Sequence, residues 1–305
     1  MKHIRINGLD IRAINGGALG IQELPDHAIA LDGAVQGPVM GNENDCWSFD
    51  HHAACSRLIT DATCQQVHKA IVLGLDVSDR PIFINDIDGD TLMSLWLLAN
   101  PSRADTEYVY KLVRAVGTID AHGPAGAHLL TNEEEAMSNA LFARLRDWLP
   151  RNVQAEYESW ASFIEKGFQD IEHVILDAFQ DKLESNQQDP PQIERLFEGK
   201  RGGVNAIIAK SEGFGGFMPL YQDGFRVVVL VSDAADGSQR YTIGKLSDLV
   251  AYPLGPGNDT DSLLGRLNAR EPGWGGGSSI GGSPRLEGGV SSRLSPEDVW
   301  ELMDR

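Results

Sequence analysis

Short apolar segments that end in an acidic residue alternate with apolar helices in the first part of the chain, and this pattern restricts the fold most. The predicted strands with the acids that follow them are 28–31 with Asp32, 46–49 with Asp50, and 81–85 with Asp86. Helices are predicted at 60–75, 91–99 and 107–116. Alternating strands and helices are typical of an α/β fold with a doubly wound parallel sheet, which binds ligands at the carboxyl ends of its strands.

The second part of the chain differs in its pattern. A long apolar stripe predicts a helix over 153–183, which we interpret as a connector, and the polar segment 184–192 with its proline pair predicts a domain boundary. Three further strands are predicted, at 206–210, 225–232 and 240–245. We therefore expect a sheet domain with a helical connector over 1–183, a smaller mixed α/β domain over 184–305, and a substrate cleft between them.

The charge balance limits the partners of this protein. Its 305 residues include 26 Lys and Arg against 44 Asp and Glu, a formal net charge of -18, which repels polyanions at long range and argues against binding of long nucleic acid. A phosphate substrate would need local cations, which bound metal ions supply. Without an apolar run long enough to cross a bilayer, we expect no membrane association, a cytoplasmic location and reduced cysteines. A homodimer is left open.

The segment Asp86-Ile87-Asp88-Gly89-Asp90 is the strongest local signal. Three carboxylates at alternate positions repel one another at a strand end, and a hard divalent cation such as Mn²⁺ or Mg²⁺ would relieve that repulsion. A surface Asp-Gly turn is the alternative interpretation. The buried strand and the apolar helix on either side favour the metal site.

Asp50-His51-His52 is the second signal, again directly after a predicted strand. Imidazole and carboxylate together suit Mn²⁺, Fe²⁺ or Zn²⁺. Asp32 and Asp120 are single acids in glycine-containing segments and would be ordinary loop residues by themselves. They become candidates for the metal site because we expect each of them at a strand end on the same edge of the sheet.

These residues resemble the DHH phosphoesterase family. Asp50-His51-His52 matches its triplet, Asp88-Gly89-Asp90 with Ser94 matches its DGDxxxS element, and Asp32 and Asp120 match its single aspartates. The glycine run 275–282 resembles the GGGH signature of the carboxyl-terminal domain associated with DHH, with Ser278 in place of the histidine. In the family the aspartate-rich element precedes the triplet, so the motif order here is permuted.

The resemblance implies a phosphodiesterase that acts on a small nucleotide or short oligonucleotide with two Mn²⁺ or Mg²⁺ ions. The implied metal ligands are Asp32, His51, Asp88, Asp90 and Asp120, with Asp86 as a substitute ligand. His52 would face the scissile phosphate, Asp50 would orient a neighbouring ligand, and His122 is a weaker candidate for the same pocket. The implied substrate-binding residues are Gly275, Gly276, Gly277, Ser278 and Arg285.

Two other functions fit parts of the pattern. In a phosphatase of the haloacid dehalogenase type, Asp86 would be the nucleophile and Asp88 the acid/base, because an apolar strand followed by DxDG is also typical of that family. Asp90 interrupts the DxDGT order of that family, and the DHH triplet stays unexplained. In a non-catalytic nucleotide sensor, the fold and the glycine run would remain around an incomplete metal site.

Overall fold

The computed structural model describes residues 1–41, 43–150, 152–183, 191–212, 215–234, 236–284 and 290–304. These residues form two compact units, the first from 1–121 and 129–183 and the second from 122–128 and 191–304. Each unit has its own six-stranded sheet. The α/β class expected from the sequence is confirmed.

The sheet of the first unit is mixed. Its strands are β1 (Lys2–Ile6), β2 (Leu9–Ala13), β3 (Ile29–Leu31), β4 (Val39–Met40), β5 (Trp47–Phe49) and β6 (Pro81–Ile84). They lie in the order β1-β2-β6-β3-β5-β4, in which β2, β6, β3 and β5 are parallel and the two edge strands are antiparallel to their neighbours. The parallel arrangement predicted from the sequence therefore holds for the four central strands.

The helices of the first unit pack on one face of this sheet. They are α1 (Thr63–Val72), α2 (Gly89–Ala99), α3 (Glu107–His122), α4 (Asn132–Arg146) and α5 (Trp160–Phe179). Buried Ile29, Leu31 and Ile84 of the sheet belong to the same apolar cluster as Leu92 and Trp96 of α2. Ala28, Ala30 and Phe83 pack in a separate cluster with Leu24 and Val35.

Helix α2 shows why the sequence folds in this way. All of its residues from Gly89 to Leu98 are buried, which explains an apolar composition without a polar face. It packs against α1, α4 and α5. Because its first turn is buried at the end of β6, Asp90 is held in the interior of the unit.

The second unit has the strands β7 (Glu194–Arg201), β8 (Val204–Lys210), β9 (Val227–Asp233), β10 (Gln239–Lys245), β11 (Gly275–Gly276) and β12 (Ile280–Gly282). Its helices are α6 (Phe217–Gln222), α7 (Leu263–Arg270) and α8 (Pro296–Leu302). The strand order is β11-β12-β10-β9-β8-β7, with β8 and β9 parallel and the other neighbours antiparallel. Among the described residues, no helix has the length and apolar character needed to cross a membrane.

Candidate metal centre

Three neighbouring parallel strands bring the acidic residues of the first unit to one edge. Strand β3 lies between β6 and β5, so the residues that follow the three strands meet at the carboxyl edge of the sheet. Asp32 follows β3, Asp50 and His51 follow β5, and Asp86 lies just after β6. The sheet order thus places both sequence motifs beside each other.

His51 is the centre of this cluster. Its side chain is fully buried, and its Nε2 lies 2.8 Å from Oδ2 of Asp120, 3.6 Å from Oδ1 of Asp32 and 3.8 Å from Oδ2 of Asp90. These residues come from two strand ends, the start of α2 and the end of α3. Three carboxylates from different elements therefore converge on one imidazole nitrogen.

The geometry around His51 fits a metal ion. Both ring nitrogens of His51 and Oδ2 of Asp120 are buried and make no hydrogen bond, so the 2.8 Å approach does not have the angles of a hydrogen bond. In an octahedral site with ligands at about 2.1 Å, neighbouring ligand atoms lie about 3 Å apart and opposite ones about 4 Å apart. The separations of 2.8, 3.6 and 3.8 Å between Nε2 of His51 and the three carboxylate oxygens lie within or close to the range of about 3 to 4 Å. Among the described residues, His51, Asp90 and Asp120 form one group able to hold an ion, and Asp32, His51 and His52 form another.

Asp32 is held in place by two threonines. Its Oδ1 accepts a hydrogen bond of 3.0 Å from Thr63 Oγ1, and its Oδ2 accepts one of 3.2 Å from Thr91 Oγ1. The backbone of Asp32 has a positive φ of 51°, a conformation that costs a non-glycine residue energy and needs support from its surroundings. The two hydroxyls fix the carboxylate in the direction of His51.

Asp90 is fixed by the first turn of α1. Its Oδ2 and Oδ1 accept hydrogen bonds of 2.8 Å each from the backbone amides of Thr63 and Cys64. These amides have no partner within the helix, and the positive end of the helix dipole favours a carboxylate there. Asp90 is 1% exposed, so it is a buried acid whose remaining lone pairs face the cluster.

Asp88 and Asp86 lie at the start of α2. Asp88 is the N-cap residue, and its Oδ1 accepts a hydrogen bond of 2.8 Å from the amide of Thr91. Asp86 is exposed, and its Oδ1 accepts a hydrogen bond of 2.7 Å from the amide of Ile87. Among the described residues, neither acid belongs to the groups whose ligand atoms meet at His51.

The crowding of carboxylates changes their ionisation. Burial, followed by repulsion from Asp32 and Asp120, raises the pKa of Asp88 well above its usual range. Burial, followed by repulsion from Asp120 and Asp32, raises the pKa of Asp90 to about 7. The buried negative charge exceeds what the neighbouring residues neutralise, and a divalent cation would neutralise it.

His51 has the opposite shift. Burial alone would lower the pKa of His51, but the carboxylates of Asp120, Asp32 and Asp90 outweigh it and raise the pKa to about 10. Burial would raise the pKa of Asp32, but His51, His52 and Thr63 keep it lowered. Without a metal ion the cluster therefore favours a protonated His51, and an ion would have to displace that proton.

Asp120 reaches the cluster from a helix, which corrects the sequence-based prediction of a strand end. The sequence predicts a turn-rich segment over 117–123, but α3 continues to His122. Gly117 is buried within α3, where a Cβ atom would lie 2.6 Å from Cγ of Gln65. The glycine permits close packing of α3 on α1 and does not mark a turn.

Arg57 is a residue of the site that was not predicted from the sequence. Its Nη2 donates a hydrogen bond of 3.1 Å to the backbone carbonyl of Asp120 and lies 3.9 Å from Oδ2 of the same residue. The guanidinium therefore stands at the carboxyl end of α3, where a cation is favoured. The sequence signal is a lone arginine shortly after the histidine pair, which is weak without the position of α3.

Asp50 and His52 form a second pair beside the cluster. Asp50 is fully buried and accepts hydrogen bonds from the amides of Gly37, at 2.7 Å, and His52, at 3.0 Å. Its Oδ1 also lies 3.0 Å from Nδ1 of His52. Burial would raise the pKa of Asp50, but these partners lower it to about 2, while the hydrogen bond with Asp50 raises the pKa of His52.

A cavity of about 460 Å³ in the first unit adjoins this pair. Asp32, Asp50, His52, Asp86 and Asp88 contribute to its wall. His51, Asp90 and Asp120 are not among the residues that line it. The cluster therefore has a buried side around His51 and an accessible side around His52.

The remaining predicted site residues lie outside this cluster. His122 is the last residue of α3 and, among the described residues, is not one whose ligand atoms join the groups around His51. Arg285 lies outside the described residues.

The glycine run of the second unit forms a hairpin. Gly275 pairs with Gly282, Gly276 pairs with Gly281, and the amide of Gly277 donates to the carbonyl of Ile280 at 2.8 Å. Ser278 Oγ donates to Oδ2 of Asp248 at 2.9 Å. The amide of Gly277 and the hydroxyl of Ser278 thus already have partners in this unit.

Comparison with known proteins adds no family assignment. No protein-family model matches the sequence, and no curated protein matches it at a significant level.

Proposed function

We propose that this protein is a metal-dependent phosphohydrolase, a phosphodiesterase that acts on a small nucleotide or short oligonucleotide. The observation that carries the proposal is the buried Nε2 of His51, which makes no hydrogen bond although three carboxylates approach within 3.8 Å. Buried polar atoms nearly always have partners. A divalent cation is the partner that suits an imidazole and several carboxylates at once.

The residues that would hold metal are Asp32, His51, Asp90 and Asp120, with Asp88 and Asp86 as further ligands towards the cavity. Two Mn²⁺ or Mg²⁺ ions would lower the pKa of a water molecule and neutralise charge on the scissile phosphate. Thr63 and Thr91 would keep Asp32 in position for this role, since they hold both of its oxygens.

His52 would act on the leaving oxygen. Asp50 holds the Nδ1 side of its ring, which leaves Nε2 for the substrate, and its side chain is 46% exposed beside the cavity. Because its pKa is raised by Asp50, the protonated ring is favoured. As the phosphorus–oxygen bond breaks, His52 would donate the Nε2 proton to the departing alkoxide, which is general acid catalysis.

The same centre suits other assignments less well. In the dehalogenase-type reaction, Asp86 would become phosphorylated, but that reaction gives no role to His51 or Asp120. A non-catalytic sensor would bind metal and nucleotide without turnover. The two-domain cleft, substrate contacts from Gly275 to Ser278 and Arg285, and the cytoplasmic location belong to this proposal as expectations.

The test is a screen of small phosphodiesters with Mn²⁺, comparing the unchanged protein with His51→Ala and with the control His3→Ala. His51 caps no helix, so His51→Ala removes a proposed ligand without removing a helix cap. His3 is a suitable control because its side chain is 59% exposed. We expect Mn²⁺-dependent hydrolysis that His51→Ala abolishes and His3→Ala retains.

Three outcomes would contradict the proposal. Equal turnover in His51→Ala and His3→Ala would show that His51 takes no part in the reaction. A phosphorylated Asp86 found by mass spectrometry would support the dehalogenase-type alternative. Metal and nucleotide binding without any hydrolysis would support the sensor.

A further inference from the structure

Asp32 is the acid that connects the two sides of the cluster. Its Oδ1 lies 3.6 Å from Nε2 of the buried His51 and 3.4 Å from Nδ1 of the accessible His52. It also belongs to the wall of the cavity. A movement of this carboxylate would therefore change the buried ion site and the substrate side together.

The backbone of Asp32 depends on a tight turn. Asp32 and Gly33 both have positive φ, of 51° and 84°. The amide of Ala34 donates to the carbonyl of Leu31 at 3.0 Å, which closes the turn in the manner of type I′. Because Gly33 has no Cβ atom, its peptide groups rotate at little cost unless a neighbour holds them.

Asn85 holds this turn. Its Nδ2 donates to the carbonyl of Gly33 at 3.0 Å and to the carbonyl of Gly17 at 2.8 Å. A side-chain amide has two N–H groups, so both are used, one for each loop. Since the amide oxygen cannot bond to a carbonyl, these two acceptors also determine which way the amide is oriented.

The strand order explains why one residue reaches both loops. Strand β6 lies between β2 and β3, and Asn85 directly follows β6, while Gly17 comes after β2 and Gly33 after β3. The carbonyl of Asn85 accepts a hydrogen bond of 2.6 Å from Nε2 of Gln154. The backbone of Asn85 is therefore itself held in place.

We propose that Asn85 is a positioning residue of the metal centre, which keeps Asp32 directed towards His51 by holding the turn at Gly33. The two threonines hold the carboxylate oxygens of Asp32, and Asn85 holds the backbone from which that carboxylate projects. This inference rests on the metal centre of the proposed function. It adds a residue that acts on the centre through Asp32.

The test measures the affinity of the full chain for Mn²⁺ by electron paramagnetic resonance, in Asn85→Leu, in Asp32→Gly and in the double variant. Leucine is close to asparagine in size but donates no hydrogen bond, and glycine accepts the positive φ at position 32. We expect Asn85→Leu to lower the affinity about tenfold, as is typical when a residue that orients a ligand is lost. In the presence of Asp32→Gly the same change should lower it less than about twofold, because a positioning effect disappears with the residue that is positioned.

Asn100→Leu is the matched control. Nδ2 of Asn100 donates to the carbonyl of Trp96 at 2.9 Å, at the carboxyl end of α2, so this variant loses the same kind of bond away from the cluster. Its Mn²⁺ affinity should stay within about twofold of that of the unchanged protein. Asn85→Ala removes both bonds of Asn85 without a branched side chain in the cavity wall, and should reproduce the loss seen in Asn85→Leu. Far-UV circular dichroism checks that each variant is folded.

The outcomes separate this inference from the proposed function. An unchanged Mn²⁺ affinity in folded Asn85→Ala, or an equal loss with and without Asp32, would overturn the inference, since Asn85 would then not act through Asp32. The expected losses of affinity, together with no hydrolysis of any phosphodiester, would overturn the proposed function and leave the positioning role intact. No binding of Mn²⁺ by the unchanged protein would overturn both.

Discussion

Nε2 of His51 lies 2.8 Å from Oδ2 of Asp120, although His51 follows strand β5 and Asp120 belongs to the last turn of α3. Neither atom makes a hydrogen bond. The contact joins the sheet edge to a helix that is distant from the triplet in sequence. The position of α3 therefore decides whether the cluster is complete.

Arg57 should control that position. Removing its guanidinium by Arg57→Ala takes away the hydrogen bond to the carbonyl of Asp120, and we expect a loss of about 1 kcal/mol in the free energy of unfolding. We also expect an affinity for Mn²⁺ about tenfold lower, as is typical when a residue that orients a ligand is lost. Urea unfolding and titration with Mn²⁺ followed by electron paramagnetic resonance measure the two effects. Arg5→Ala, at an exposed position of β1, is the control, and an unchanged affinity in Arg57→Ala would show that Arg57 does not position Asp120.

Asp50 should act through His52 and not through the metal. Asp50→Asn keeps the shape of the side chain but removes the charge that raises the pKa of His52. We expect kcat to fall about 100-fold, within the range of general acid catalysis, with Mn²⁺ affinity changed less than threefold. An NMR titration should show a lower pKa for His52. A loss of metal affinity as large as the loss of kcat would place Asp50 among the ligands instead.

The stability of the metal-free protein should fall as the pH rises. The pKa of His51 is raised from 6.5 to about 10, so the stability that its protonated form contributes is complete below pH 6.5 and is lost as the pH rises towards 10. The pKa of Asp90 is raised from 3.8 to about 7. The stability that protonated Asp90 gives the folded state is therefore also lost as the pH rises from 3.8 to about 7. Both pKa shifts make the metal-free protein less stable as the pH rises.

Thermal melts at pH 6 and pH 8 with a chelator or with Mn²⁺ test this dependence. We expect Tm of the metal-free protein to be lower at pH 8, and the stabilisation by Mn²⁺ to be larger there because fewer protons compete. His51→Asn should reduce the difference between the two pH values. A metal-free Tm that rises from pH 6 to pH 8 would contradict the assigned environment of His51.

Gly276 should be a structural residue of the second unit. It has φ 144°, and a Cβ atom there would lie 2.3 Å from the carbonyl oxygen of Ile280, so Gly276→Ala should destabilise the protein by about 1–3 kcal/mol from backbone strain. Gly275 has open space at the Cβ position, and Gly275→Ala should leave Tm within about 1 °C. Weaker phosphate binding in Gly275→Ala, with Tm unchanged, would instead support the substrate contacts expected from the glycine run.

The strand-end acids could be predicted from the sequence because their geometry follows from local rules. Apolar strands that alternate with helices imply parallel neighbours, and parallel neighbours bring Asp32, His51 and Asp88 to one edge. The hairpin of β1 and β2 also has a local signal, since Asn7 and Gly8 stand between two alternating apolar segments and such a pair favours a tight turn. The strands predicted from the sequence begin only at residue 28 and leave this hairpin out.

The contribution of α3 could not be derived in that way. Gly117 suggests a turn in isolation, and only the packing of α3 against Gln65 of α1 explains why a glycine stands within a helix. Arg57 depends on the same tertiary contact, because its partner is the backbone carbonyl of Asp120. Residues whose role arises from helix packing leave no periodic signal near them.

The attachment of Asp90 to the amides of Thr63 and Cys64, and of Asp88 to the amide of Thr91, gives the centre a second role. Asp90 and Asp88 cap the starts of α1 and α2, so a substitution of either acid removes a helix cap together with a candidate metal ligand. We therefore expect the starts of α1 and α2 and the candidate metal centre to behave as one cooperative unit. Slow hydrogen exchange at those first-turn amides would report the state of the centre without any substrate.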